Sequence, residues 1–221
     1  MNNKLVLACL VAVLSAPAAA ESESMSFFLT SAGPGKGGDL GGLKGADQHC
    51  QTLAESAGAG HRSWRAYLST QASGFKDQSA VAARDRIGTG PWFNARGVMI
   101  ANDVDELHSD SNNLTRETAL DEKGRLVNGR TDKPNQHDIM TGSRPDGSNF
   151  PPSPPFPDMT CGNWTKGGSE GSAMLGHHDR VGPNGDSWAT SWLSAHPSLG
   201  CDPASLNKTG GNGYFYCFAI D

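Results

Sequence analysis

Apolar residues in this chain fall in short clusters set between long polar, glycine-rich stretches. The run Met25-Ser26-Phe27-Phe28-Leu29-Thr30-Ser31 predicts a first strand. Ala46, Cys50, Leu53, Ala54 and Ala57 recur at helical spacing and predict a helix stopped by Gly58. Trp64-Arg65-Ala66-Tyr67-Leu68-Ser69 reads as a strand, and Ser79 to Ile87 as a second short helix ended by Gly88 and Pro91. From Pro91 to Asn128, Val98-Met99-Ile100, Val104, Leu107 and Leu114 punctuate polar turns. Asn135 to Pro157 reads as loop, and its proline run Pro151 to Pro157 is stiffened toward polyproline II as a rigid connector. The apolar Tyr214-Phe215-Tyr216-Cys217-Phe218-Ala219 predicts the last strand. The loop Gly33 to Gly38 lacks the Gly-Lys-Ser/Thr ending of a phosphate cradle and reads as a flexible connection. Helices early, short strands late, and no internal repeat predict a single α+β domain over residues 21–221.

The first residues change the compartment. Met1-Asn2-Asn3-Lys4, the apolar run Leu5 to Leu14 and Ala18-Ala19-Ala20 read as a signal peptide cut after Ala20. The expected location is secreted or periplasmic. No later apolar run approaches the length of a membrane span. Only 36% of the residues are hydrophobic and 28 are glycine, so much of the chain must be loop. The formal charge of −5 argues against nonspecific nucleic-acid binding, which needs a basic surface.

Removal of Cys9 with the leader leaves Cys50, Cys161, Cys201 and Cys217, an even set in an oxidising compartment. Four cysteines allow three pairings, and spacing does not choose among them.

Several segments, in order, resemble endostatin, the C-terminal domain of certain collagens, which has a C-type-lectin-like fold. They are Gly45-Ala46-Asp47 with Cys50-Gln51, Trp64-Arg65-Ala66-Tyr67-Leu68-Ser69, and Ala83-Arg84-Asp85-Arg86. Gly142-Ser143 with Asp146-Gly147, Cys161-Gly162-Asn163-Trp164, and Gly171-Ser172-Ala173 before Met174-Leu175-Gly176 complete the set. With its leader, the chain is similar to a bacterial secreted member of that family.

The resemblance implies a nested pairing, Cys50–Cys217 outside and Cys161–Cys201 inside. It also implies a zinc site of N-terminal histidines, yet Glu21-Ser22-Glu23-Ser24-Met25 contains none. Arg62, Arg65, Arg84 and Arg86 fall near endostatin's heparin-binding region, while the acidic balance opposes strong polyanion binding. Calcium-dependent lectins of this fold place oxygen ligands in a Glu-Pro-Asn or Gln-Pro-Asp loop. Here Lys133-Pro134-Asn135 and Arg144-Pro145-Asp146 put a cation at the ligand position, so no cofactor is expected, and calcium stays possible but without a motif behind it.

The remaining candidate chemistry is polar. His177 and His178 are adjacent in a strand-like segment, point to opposite faces and do not readily share one ion. His178 could meet His137 or Asp138, with structural hydrogen bonding favoured over metal binding. The polar stretch Asp103, Asp105, Glu106, His108, Asp110, Asn112 and Asn113 reads as a solvated acidic loop rather than a calcium loop, which needs a glycine at its sharp turn. Trp92, Trp164, Trp188 and Trp192 are expected mostly in the core, and any one of them left exposed would offer a stacking face to a sugar ring. No Gly-x-Ser-x-Gly or His-Glu-x-x-His motif is present.

The expectation is therefore a non-catalytic module binding a glycan or an extracellular protein. Its candidate binding residues are Asn135, Asp146, Asn163, Trp164, His178, Asp179, Asn184, Asp186 and Trp188. The alternatives are an envelope assembly component, or a hydrolase using His178 and His137 with a carboxylate.

Overall fold

The computed structural model describes residues 25–221, so the leader, its cleavage point at Ala20 and Cys9 lie outside the described residues. The centre of the fold is a three-stranded antiparallel sheet. Its strands β1 (Phe27–Leu29) and β2 (Trp64–Ala66) flank β8 (Tyr216–Ala219). All four residues of β8 are buried, because both faces of this sheet are covered. Phe28, Ala66, Phe215 and Cys217 join one apolar cluster, while Phe27, Leu29, Tyr216 and Phe218 join a second on the opposite face. The strict two-residue period of side-chain direction sorts one continuous apolar run into two cores.

Helix α1 (Gly42–Ser56) lies against the first face and buries Ala46, Cys50 and Ala54. Two small alanines let the helix approach closely, and the Cys50–Cys217 disulfide joins it to the middle of β8. The inner disulfide, Cys161–Cys201, is formed as well. It ties a single helical turn, Cys161–Trp164, to the entry of a C-terminal helix. All four residues of that turn have positive φ, from 48° at Cys161 to 67° at Trp164, so it winds left-handed.

The expected helix at 79–87 is instead a 3-10 turn, Ala83–Arg86. Val81 and Thr70 exchange bonds through both backbone and side chain, and the Ala83 amide donates to Ser69 Oγ, which holds 81–82 extended and delays the helical turn to Ala83. The strand expected at Trp64–Ser69 ends at Ala66.

A short hairpin, β3 (Trp92–Phe93) with β4 (Met99–Ala101), is followed by the one-turn helix α2 (Val104–Leu107). The second three-stranded sheet runs β5 (Asp138–Met140), β6 (Met174–His177), β7 (His196–Pro197), all antiparallel. Helix α3 (Pro203–Thr209) starts on Asp202, whose carboxylate accepts from the Ser205 amide, and stops at Gly210 with φ of 113°. The architecture is thus mixed α and β, with small antiparallel sheets and two disulfides. Among the described residues no helix is long and apolar enough to cross a membrane.

Candidate functional site

The second sheet gathers the most unusual chemistry in the molecule. Asp138 begins β5 and lies opposite His177, the last residue of β6, while His196 of β7 lies opposite Leu175. Residues 175 and 177 share a face, so this register brings Asp138, His177 and His196 to one side of the sheet. His137 enters from the residue just before β5. The Nε2 atoms of His137, His177 and His196 lie 3.1, 3.3 and 3.5 Å from a single oxygen, Asp138 Oδ1. His137, Asp138 and His177 are buried, and the His196 side chain is 30% exposed.

These are ion-pair distances, yet no described residue donates a hydrogen bond to either oxygen of Asp138, and His177 Nε2 has no partner either. The other ring nitrogens are all engaged. His137 Nδ1 lies 3.3 Å from Asp179 Oδ1, His177 Nδ1 lies 2.7 Å from the Ala189 carbonyl, and His196 Nδ1 lies 3.1 Å from the Pro197 carbonyl. The His137 and His177 rings stack at 4.2 Å. Burial raises the Asp138 carboxyl, and only imidazoles of His177, His196 and His137 that carry a proton toward it hold it below the ordinary carboxylate range. Asp179 is likewise pushed up by burial but held at about 2 by His137 and the amides of Arg130 and Val181. One ligand atom from each of His137, Asp138 and His177 falls within 4.8 Å of the others, the spacing of groups that share a metal ion.

The structure therefore joins His137 and Asp138 with His177 rather than with His178. His178 turns to the other face, as strand alternation requires. There it is fully buried with Nε2 against the Asn128 carbonyl, and burial lowers its pKa. Asp179 enters the cluster indirectly, through His137. His196 was not singled out by the sequence, since a lone His-Pro pair in a polar stretch carries no periodic signal.

The other candidate residues are spread across the surface and core. Asn135 accepts from the His137 amide and Asp146 from both Ser148 donors, so each closes a local turn. The Asn163 side chain exchanges two bonds with the Gln71 backbone, and Trp164 is fully buried with its indole donating to the Ser69 carbonyl. Asn163 is half-buried. Within the acidic stretch, Asp103 caps α2 by accepting from the Glu106 amide. Asn184 and Asp186 form an exposed turn, in which Asp186 accepts from the Trp188 indole at 3.2 Å.

Of the five tryptophans, Trp64, Trp92, Trp164 and Trp192 are buried and Trp188 is 48% exposed. It stands at a cavity of about 240 Å³ whose walls include His108, Asp110, Arg180, Ser191 and Trp192. The rim is pre-set. Arg180 donates to the Leu114 and Thr190 carbonyls and to Asn112 Oδ1. His108 Nε2 lies 2.6 Å from the Tyr67 hydroxyl and Nδ1 2.6 Å from the Val104 carbonyl, so a neutral ring protonated on Nδ1 satisfies both contacts. No family model matches the chain, and no curated protein matches it.

Proposed function

We propose that this chain is an exported, non-catalytic binding module of C-type-lectin-like, endostatin-like architecture whose groove beside Trp188 takes a glycan. The observation that carries the reading is the single exposed indole at the mouth of a hydroxyl- and carboxylate-rimmed cavity. A sugar ring has an apolar C–H face that packs on an indole and rim hydroxyls that pair with groups such as Asp110 and Ser191. The export reading draws support from two disulfides, which persist in oxidising compartments. The architecture draws support from the nested pairing that the resemblance implied. Binding is preferred over hydrolysis because the carboxylate nearest the histidines, Asp138, is fully buried and out of a substrate's reach.

The test is a glycan array probed with the oxidised protein, with calcium and then with chelator, followed by titration of the best hit by tryptophan fluorescence. A sugar ring covering ~60 Å² of an indole face contributes about 1.5 kcal/mol, or roughly tenfold in Kd. Trp188→Ala is expected to lose that factor with unchanged melting temperature. An unchanged affinity in Trp188→Ala removes the groove from the reading, and silence across the array moves it to an extracellular protein partner.

A further inference from the structure

We propose that His137, Asp138 and His177 hold zinc, with His196 beside Asp138 placed to complete the site, independent of whatever the Trp188 groove binds. Each of the three imidazoles presents Nδ1 to an acceptor: a carboxylate for His137 and carbonyls for His177 and His196. Those bonds place the proton on Nδ1 and leave an Nε2 lone pair directed inward. Three lone pairs then converge on a carboxylate oxygen with no hydrogen between them. Around a fully buried anion that accepts no hydrogen bond from the described residues, this arrangement is repulsive as well as desolvated. A cation at the centre reverses both penalties.

Distances give an independent argument. Ligands about 2.0–2.1 Å from zinc in a tetrahedron stand about 3.3–3.4 Å from one another. The Nε2 atoms of His137 and His177 stand 3.1 and 3.3 Å from Asp138 Oδ1, and the ligand atoms of these three residues lie within 4.8 Å of one another; His196 Nε2 is 3.5 Å from the same oxygen but outside that close group. The surroundings match as well. A carboxylate behind a histidine, here Asp179 behind His137, is the usual outer partner of a zinc-bound imidazole.

Three imidazole nitrogens and one carboxylate oxygen suit zinc, whereas calcium and magnesium require an oxygen cage. Three buried ligands, with the partly exposed His196 beside them to close the fourth position, fit a structural centre better than a catalytic one that keeps a position open. None of the four residues belongs to the N-terminal histidine set that the endostatin resemblance calls for. The site joins β5, β6 and β7, and it clamps both ends of the 178–195 excursion that carries Trp188.

The experiment uses chelator-stripped full-length protein titrated with zinc alone and with calcium alone by calorimetry, with Co²⁺ as a spectroscopic reporter. One equivalent of zinc, no calcium uptake, and the intense visible absorption of tetrahedral Co²⁺ are expected. Asp138→Asn removes the buried anion without removing volume, and His196→Ala changes the most exposed ligand, so both variants should keep the fold. Each is expected to lower zinc affinity by at least about 100-fold, and Asp179→Asn by about 10–100-fold. Zinc uptake that survives Asp138→Asn, weak octahedral Co²⁺ spectra, or no uptake by the folded wild-type chain would each overturn the proposal. Loss of glycan binding has no bearing on any of these readouts.

Discussion

Replacing each disulfide separately by an alanine pair tests what holds this loop-rich fold. Alanine is the appropriate replacement because all four cysteines are fully buried, where a serine hydroxyl would need a partner. The outer bridge spans 167 residues and the inner one 40. On the chain-entropy model their removal costs about 5 and about 4 kcal/mol, a gap of about 1 kcal/mol that follows from loop length alone.

The structure widens that gap. Cys161 lies in the left-handed turn, where Cys161, Asn163 and Trp164 are non-glycine residues at positive φ, each costing roughly 1–2 kcal/mol. The turn is also held by the bonds of Asn163 to Gln71 and of Trp164 to Ser69, but opening the bridge lets part of that strain relax. The outer bridge has no such offset, since Cys50 and Cys217 join a regular helix and strand. Cys50→Ala/Cys217→Ala is therefore expected to melt about 10–20 °C below wild type, at roughly 2–4 °C per kcal/mol for a chain of this size. The inner pair should fall by visibly less. Urea unfolding gives both free energies, with larger slopes expected because the uncrosslinked unfolded chains expose more surface. If the inner variant loses more than the outer one, loop entropy and turn strain are not what sets these costs.

Two further outcomes follow from single residues. Burial holds His108 below the ordinary imidazole range against the Val104 carbonyl, with Arg84 acting in the same direction and Asp146 and Asp105 opposing. The folded chain therefore binds this proton less readily than the unfolded one, so its stabilisation is complete above about pH 6.5 and is lost as pH falls below it. In chelator, melting temperature should drop between pH 7 and pH 5, and His108→Gln should flatten that slope; an identical slope in the variant refutes the assignment. A Cβ on Gly176 would lie against the Trp192 carbonyl, so Gly176→Ala is expected to cost about 3 kcal/mol by overpacking backbone on backbone, read as a lower urea midpoint.

The parts of the fold that were legible are those whose signal is local. Phe27-Phe28-Leu29 and Tyr216-Cys217-Phe218-Ala219 are continuous apolar runs, and α1 repeats small apolar residues at Ala46, Cys50 and Ala54. Helix α3 was not read, although Asp202-Pro203 marks its start and Gly210 its stop. Its seven residues bury Ser205 and Leu206, too few to give a periodic stripe. The 79–87 segment misled in the opposite way. Its composition favours a helix, while Ser69 and Thr70, remote in sequence, take its amides for extended pairing. The disulfide pairing came from resemblance, since nothing in a separation of 40 or 167 residues selects a partner.

The His–Asp cluster shows where local reading ends. Strand alternation correctly separated His177 from His178, but it could not say which of them faces Asp138. That choice belongs to the register of β5 against β6, and a slip of one residue would have delivered His178. One residue in the sequence bears on this register. Gly176 pairs with Ile139, and its α-carbon lies under the Trp192 carbonyl, where no side chain fits. A slip would place Leu175 or His177 there instead. The glycine in Leu175-Gly176-His177 thus keys the sheet so that His177 faces Asp138, and the same close approach brings the Ala189–Trp192 segment within reach of the His177 Nδ1 proton. Gly176→Ala should therefore weaken zinc binding together with stability. An alanine variant that loses stability yet retains wild-type zinc affinity would separate the register from the site.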